Sequence, residues 1–382
     1  MKILVLPGWY PGPLHPFAGD FIMYQVQNLK KVKIDVSVIF ADLGVNHLNP
    51  FSFSKISFAN EEGVPTFRRT GFFLPKRTSF LLKWWARQYG ILYQKYQQQH
   101  GRPDLIHAHI FQGGFAANYL SKKHQIPYIV TEHSSSILKK DQPQWRKELM
   151  NEVYDSAKKV IAVGSALKRK LEQDYTKKEV LILPNSVNTE LFTPGKINKQ
   201  EPFTLIGIGS LIPSKGFDLL IKAFANCQKK WPGLKLIIVG EGKEKRRLSQ
   251  LARELEITSG IRFTGQCSQE QVAELLKQAH VLVHPSHFET FGIVVIEALA
   301  TGIPVIATAC GGPQDILTSS LLGALVPPHN QQALEEAIQS VLKNYANFNK
   351  TAIRQYVLEN YSNEVVIERL IQIYIGILGN IT

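Results

Sequence analysis

Val281-Leu-Val-His284-Pro-Ser-His-Phe-Glu289-Thr-Phe-Gly292-Ile-Val-Val-Ile-Glu297-Ala-Leu-Ala-Thr301-Gly-Ile-Pro304-Val-Ile-Ala-Thr308 is the stretch on which the fold turns. Its ends, Val281 to His284 and Pro304 to Thr308, are short apolar runs, and Gly292 to Thr301 between them has the length and composition of a helix. Strand, helix and strand in that order read as one βαβ unit, and strands this apolar are covered on both faces of a parallel sheet.

The same alternation runs outward in both directions. Upstream lie a strand at Phe203 to Ile208, a helix at Gly216 to Trp231, a strand at Leu234 to Val239 and a helix at Lys243 to Glu256. A short strand at Ile261 to Thr264 and a helix at Ser268 to Gln278 complete that side, and helices at Gln331 to Asn344 and Ser362 to Leu378 follow downstream. The first half has its own series. Strands are read at Lys2 to Leu6, Ile34 to Phe40, Asp104 to His107, Pro127 to Thr131, Lys159 to Val163 and Val180 to Leu183, with helices between them. Asn188 to Pro202, with two prolines, a glycine and a polar tail, has the chemistry of a linker. At 382 residues, two domains are expected. The reading is α/β, with two Rossmann-like, doubly wound domains facing across a cleft: residues 1–190, and residues 201–361.

Two acids stand out in the opening stretch. Glu289 falls in the loop before the helix and Glu297, eight positions on, lies about a turn inside it. They therefore address different parts of one extended ligand, and the backbone N–H groups of Thr290 to Ile293 at the helix start suit a phosphate. Upstream, Gly207-Ile-Gly-Ser210-Leu-Ile-Pro-Ser-Lys215-Gly216 joins a strand to a helix. A Lys-Gly pair there offers an ammonium plus backbone amides, which together can neutralise a diphosphate leaving group. A loop acid, a helix-face acid and a surface lysine would be the ordinary explanations of these residues taken singly.

Taken together they resemble the family-4 retaining glycosyltransferases of the GT-B fold. The segment from Pro285-Ser286 through Phe291-Gly292 to Pro304 resembles that family's E-x7-E motif. The resemblance implies that Glu289 touches the donor sugar and Glu297 the ribose, with Phe291, Gly292 and Ile293 at the donor. The Ser210 to Lys215 loop resembles the G-R-x(n)-K-G loop that holds the diphosphate, but Ser210 stands where Arg is usual, so that Lys215 must carry more of the charge or another basic residue must help. Val239-Gly240-Glu-Gly resembles the V-G-x-G turn, and Thr264-Gly265 the segment near the base. In the first half, Phe17-Ala-Gly19-Asp20-Phe21 resembles the glycine loop near donor phosphates and acceptor, and Thr131-Glu-His133 the T-x-H turn whose His lies near the reacting sugar. His109 takes a comparable place on the acceptor side, although a lone His is ordinarily structural. Pro184-Asn-Ser-Val-Asn188 resembles P-N-G-V-D and is expected to close the first domain. The last helix, from about Ser362, is expected to cross back onto it.

Charge and cysteines bear on partners and compartment. Residues 1–190 carry 26 Lys and Arg against 15 Asp and Glu, and residues 191–382 carry 18 against 16, so the net +13 belongs mostly to the first half. Gly63 to Pro103 holds no acid but has Arg68, Arg69, Lys76, Arg77, Lys83, Arg87, Lys95 and Arg102, interleaved with aromatic and leucine residues. Such a segment suits an anionic bilayer surface; the competing reading is a basic helix whose aromatics pack on its own domain. Nucleic acid is not expected, because no nucleic-acid-binding signature accompanies the charge. Cys227, Cys267 and Cys310 form no CxxC pair, which fits a reducing compartment. The opening apolar run is too short for a signal peptide and no stretch is long enough to span a membrane, so the expectation is a cytoplasmic protein, peripheral on the inner face.

These readings imply transfer of a sugar, with retention, from a nucleoside-diphosphate donor to a hydroxyl acceptor that is saccharide or lipid-linked, in polysaccharide or lipopolysaccharide synthesis. His133, Lys215 and Glu289 are the expected catalytic residues. No Asp-x-Asp and no zinc ligand set occur, so no metal and no other cofactor is expected. A nucleotide-sugar 2-epimerase, a glucan phosphorylase, and a non-catalytic basic membrane or nucleic-acid binding module stay open as alternatives.

Overall fold

A computed structural model of the chain describes residues 1–12, 15, 18–44, 55–72, 78–138, 142–196 and 202–379. Phe17 of the glycine loop, and Phe73, Leu74, Lys76 and Arg77 of the basic segment, lie outside the described residues. The chain divides into two compact units, Met1–Pro184 with Ile367–Thr382, and Asn185–Val366. Residues 185–190 and 362–366 thus fall in the second unit rather than the first. The reason is local: Val187 pairs with Ser362 in an isolated bridge and its N–H donates to the Tyr361 carbonyl.

The first unit is built from β1 (Lys2–Leu6), α1 (Asp20–Lys31), β2 (Asp35–Gly44), β3 (Lys55–Glu61), β4 (Val64–Phe72), α2 (Ser79–His100), β5 (Leu105–His109), α3 (Ile110–His124), β6 (Tyr128–Glu132), α4 (Gln144–Ser156), β7 (Lys159–Ala162), α5 (Ser165–Asp174) and β8 (Val180–Ile182). Its sheet runs β3-β4-β2-β1-β5-β6-β7-β8, parallel except for β3. The order reverses between β1 and β5, so loops after those strands open the crevice where such sheets bind ligands. β1, β5 and β6 are buried almost throughout, as their apolar runs require.

Within residues 63–103 the described residues form β4 and α2, and α2 follows the competing reading of a basic helix whose aromatics pack on its own domain. Glu62 and Gly63 both have positive φ, the two-residue turn that matches the twist of the β3–β4 hairpin. In α2, Leu82, Trp85, Tyr89, Leu92, Tyr93 and Tyr96 are buried. Among the described residues, Phe67, Trp85, Tyr89 and Tyr93 of the aromatic side chains counted toward a membrane face are therefore core, the α2 rings lying at the steps of a buried helical stripe. Phe80, Lys83, Trp84, Arg87, Ile91 and Lys95 stay exposed on the other side, with Phe80 at 71%.

The second unit contains β9 (Thr204–Ile208), α6 (Phe217–Lys230), β10 (Lys235–Val239), α7 (Lys245–Glu254), β11 (Ile261–Gly265), α8 (Gln269–Gln278), β12 (Val281–His284), α9 (Ile293–Ala300), β13 (Val305–Thr308), α10 (Gly312–Ile316), β14 (Gly323–Val326), α11 (Gln331–Asn344) and α12 (Lys350–Tyr361). Its all-parallel sheet runs β11-β10-β9-β12-β13-β14, reversing between β9 and β12. Leu205, Leu236, Ile238, Val281 and Val283 pack with Leu220, Phe224, Leu248, Leu334 and Ile338 of the covering helices to form the core. The last helix, α13 (Asn363–Leu378), contributes its residues from Ile367 onward to the first unit. No helix among the described residues is long and apolar enough to cross a membrane.

Candidate active site

In the second unit the loops after β9 and β12 leave the sheet on either side of its reversal point. After β9, Pro213–Lys215 makes one tight turn and Gly216 starts α6 at φ 64. A Cβ on Gly216 would stand 2.2 Å from the Pro285 carbonyl oxygen, so only glycine lets the two loops touch. The His287 N–H closes the contact by donating to the Ser214 carbonyl at 2.8 Å.

That contact brings together two residues 74 positions apart. Lys215 Nζ donates to Glu289 Oε2 at 2.5 Å. The Glu289 backbone is fixed on the other side, its N–H donating to the Cys310 carbonyl and its own carbonyl accepting from the Gly312 N–H at 2.9 Å. Burial alone would raise the Glu289 pKa, but the Lys215 ammonium and His284 outweigh it and hold the carboxyl well below the usual range. His284, the last residue of β12, is 2% exposed and its Nε2 stands 3.3 Å from the same Oε2. Burial lowers the His284 pKa and the Glu289 carboxylate offsets part of that.

Gly292 begins α9 in the left-handed region, φ 97, and the helix follows from Ile293. Of the four amides expected to face an anion, that of Thr290 already donates to Glu289 Oε1 at 3.2 Å. Phe291 is buried, and Gly312 lets its backbone approach, since a Cβ there would lie 2.2 Å from the Phe291 Cα. Glu297 lies in the second turn of α9 and is 6% exposed. Ser210 is exposed. Around it the turns after β9, β10 and β11 are locked backbone to backbone. Gly209 N–H donates to Val239 O, Gly240 N–H to Gly265 O, and Leu211 N–H to Glu241 O. Thr264 turns its hydroxyl back to the Gly265 carbonyl at 3.0 Å. Lys215, Glu289, Gly292, Ser210, Gly240 and Thr264 all therefore follow or end strands of one sheet at their carboxyl ends, where Rossmann-like sheets bind ligands.

The first unit gathers a second cluster. Gly19, φ 75, precedes α1, and a Cβ there would meet the Trp9 carbonyl at 2.4 Å. Asp20 follows, its Oδ1 accepting from the Phe21 N–H and its pKa raised by burial. The Phe21 ring packs on His133 with centroids 4.7 Å apart. His133 Nε2 and His109 Nδ1 are hydrogen-bonded at 3.0 Å, and the His107 ring packs tilted against His109 with centroids 4.3 Å apart. Burial pushes His107 and His133 down to about 3 and His109 well below its ordinary value, so all three rings are neutral near pH 7. His107 bonds Tyr374 Oη at 2.6 Å and Thr131 Oγ1 at 2.8 Å. Glu132 is fully buried and accepts from the His133 and Ser134 N–H groups and from Tyr154 Oη, so it holds the turn that carries His133.

The structure thus joins Lys215 to Glu289, and His109 to His133 and Phe21. His284, His107, Glu132, Tyr154 and Tyr374 were not singled out from sequence as site residues. His284 sits only five positions before Glu289, which is the one signal that could have drawn attention to it.

Comparison with known proteins agrees with this architecture. Residues 188–356 match the family model described as glycosyl transferases group 1, and residues 18–191 the model described as glycosyltransferase family 4. TuaC of Bacillus subtilis (strain 168), whose name places it as a glycosyltransferase of teichuronic acid biosynthesis, is 31% identical over 372 residues, covering 88% of each chain. Among solved structures, sucrose-phosphate synthase from Thermosynechococcus elongatus superposes with a TM-score of 0.82 at 22% identity, covering 100% of both chains. Anabaena HepE in complex with UDP-glucose superposes at 0.75 and 19% identity, covering 98% of this chain and 100% of that one. With two parallel Rossmann-like sheets, and a relative of this identity matched along most of its length, the chain belongs to the glycosyl transferases group 1 family and is a transferase of the GT-B fold.

Proposed function

We propose that the enzyme moves a hexose-type sugar from a nucleoside-diphosphate donor, bound at the strand ends of the second unit, to a hydroxyl acceptor with retention at the anomeric carbon. The observation that carries this reading is the Lys215–Glu289 pair at the reversal point of the sheet. An ammonium and helix-start amides suit the diphosphate, and a carboxylate held ionised beside them suits sugar hydroxyls. Glu297 is assigned to the ribose. His133 and Asp20 are assigned to the acceptor, with His109 behind His133. As the anomeric carbon leaves the diphosphate oxygen, the acceptor oxygen bonds to it from the same face and passes its proton to the departing phosphate. Positive charge for that step comes from Lys215 and the α9 amides, so turnover should survive EDTA.

The reading takes support from HepE, whose structure is in complex with UDP-glucose, and from the teichuronic acid biosynthesis named for TuaC. We place the acceptor in cell-surface polysaccharide or lipopolysaccharide synthesis, presented on a lipid. The exposed side of α2, with Phe80, Trp84 and Ile91 among Lys83, Arg87 and Lys95, fits an anionic bilayer, where rings enter the interface and cations meet head groups. The direct test incubates the enzyme with UDP-, GDP- and ADP-sugars and looks for nucleoside diphosphate release. An epimer appearing without acceptor would instead mean an epimerase. Co-sedimentation with vesicles containing phosphatidylglycerol should be strong at low salt and fall sharply in a Phe80→Ser/Trp84→Ser variant; no binding at low salt ends the membrane reading.

A further inference from the structure

Glu289 Oε2 has two neighbours, and they are not equivalent. Lys215 Nζ sits at 2.5 Å in a formed hydrogen bond, whereas His284 Nε2 stands off at 3.3 Å in a longer and weaker contact. Yet His284 is almost fully enclosed, so its ring has no solvent to turn to for another partner. A buried ring nitrogen held to so long a contact with its one nearby acceptor calls for a state in which the bond is drawn short.

Donor binding would supply that state, if the second unit takes a nucleoside diphosphate as argued above. The Lys215 ammonium cannot serve Glu289 and an incoming diphosphate equally, because each phosphate oxygen it gains draws it from the carboxylate. A carboxylate left enclosed without its counter-charge is strongly disfavoured. The Glu289 backbone is pinned by Cys310 and Gly312, so the carboxylate cannot follow the lysine. It can rotate by the few tenths of an ångström needed to take a hydrogen bond from Nε2–H of His284.

We infer that His284 is a positioning residue that takes over Glu289 Oε2 when Lys215 turns to the donor's diphosphate, so that the acid stays aimed at the sugar. His284 touches no substrate in this scheme and acts only through Glu289. The arrangement makes nucleotide binding an exchange of partners rather than the filling of an empty site.

Calorimetric titration with UDP, and with GDP and ADP in parallel, tests it in four variants. Glu289→Gln removes the competitor for Lys215 and should tighten binding about tenfold. His284→Leu should weaken binding about tenfold and lower kcat with little change in the acceptor KM. His284→Gln, whose amide nitrogen reaches roughly where Nε2 stands, should restore both. The deciding case is the double variant: in the Glu289→Gln background, His284→Leu should have no further effect on binding. Equal weakening in both backgrounds, or none in the wild type, overturns the exchange while leaving the donor site intact. No binding of any nucleoside diphosphate by the wild type overturns the donor reading and the exchange with it. If His284→Leu does not fold, His284→Asn, which keeps a polar group near Nδ1 but none at Nε2, carries the same test.

Discussion

Replacing Lys215 with alanine probes stability and catalysis through one atom. The Lys215 and Glu289 side chains are 24% and 14% exposed, so the pair is neither a surface pair nor a dry one. Breaking a fully buried pair costs roughly 3–5 kcal/mol and an exposed one under about 1. This pair falls between, and His284 and the Thr290 amide still face Glu289, so a loss of about 1–2 kcal/mol is expected. For a unit the size of Asn185–Val366 that is a fall of about 3–6 °C in Tm. The catalytic loss should be larger, since removing one charged contact to a developing oxyanion costs roughly a hundred- to a thousandfold in kcat. Scanning calorimetry and nucleoside diphosphate release, measured on the same preparation, separate the two. Lys215→Ala/Glu289→Gln should recover most of the Tm and none of the turnover, because it removes the stranded charge but not the need for an ammonium. A Lys215→Ala enzyme that turns over at the wild-type rate would refute the assignment of Lys215 to the diphosphate.

Three other outcomes follow from the geometry. Gly240→Ala would place a methyl 1.9 Å from the Gly209 carbonyl oxygen at φ 141, and should destabilise the second unit by about 3 kcal/mol or more, read as a fall in urea midpoint; Gly63→Ala meets nothing within 4 Å and should cost only the smaller strain of its positive φ. His107 and His133, held near 3, refuse the proton that the unfolded chain accepts near 6.5, so each should weaken the first unit by up to about 1.4 kcal/mol per pH unit as pH falls below that value. Urea unfolding at pH 7, 6 and 5 checks this, and a midpoint that does not fall would mean the rings are hydrated; Glu132 and Asp20, raised by burial, act with the opposite sign at the acid end. His109→Asn, which keeps a polar group where Nδ1 bonds His133, should retain more activity than His109→Gln, and the reverse order would show that Nε2 is the working nitrogen.

Much of this was legible in the chain. The strand runs are nearly continuous in Val, Ile and Leu, which only a two-sided burial explains, and the glycines that mark strand exits are demanded by backbone contacts under 3 Å. Residues 63–103 were harder. Rings such as Trp85, Tyr89 and Tyr93 suit helix or strand about equally, and α2 has no acid in its first turn to announce a start. The pairing of β3 with β4 depends on a turn, Glu62-Gly63, whose positive φ values a sequence does not print. At the site, Lys215 and Glu289 were readable as separate charges, each at a strand–helix junction. That they meet depends on which strands flank the reversal, and that His284 joins them depends on how the loop after β12 folds back. Tyr374 lies 267 positions from His107, beyond any reading by spacing.

That last distance also sets a clock. Asn185–Val366 is one continuous segment and can fold as soon as it clears the ribosome, but the first unit includes Ile367–Thr382 and stays incomplete until that later segment has been made. At ~5–20 residues per second, His107 waits roughly 15 to 50 s for the tyrosine that caps it. During that interval the groove that Leu370, Tyr374 and Ile377 will fill stands open to the cell, which makes the nascent first unit, and not the donor-side unit, the natural client for a chaperone.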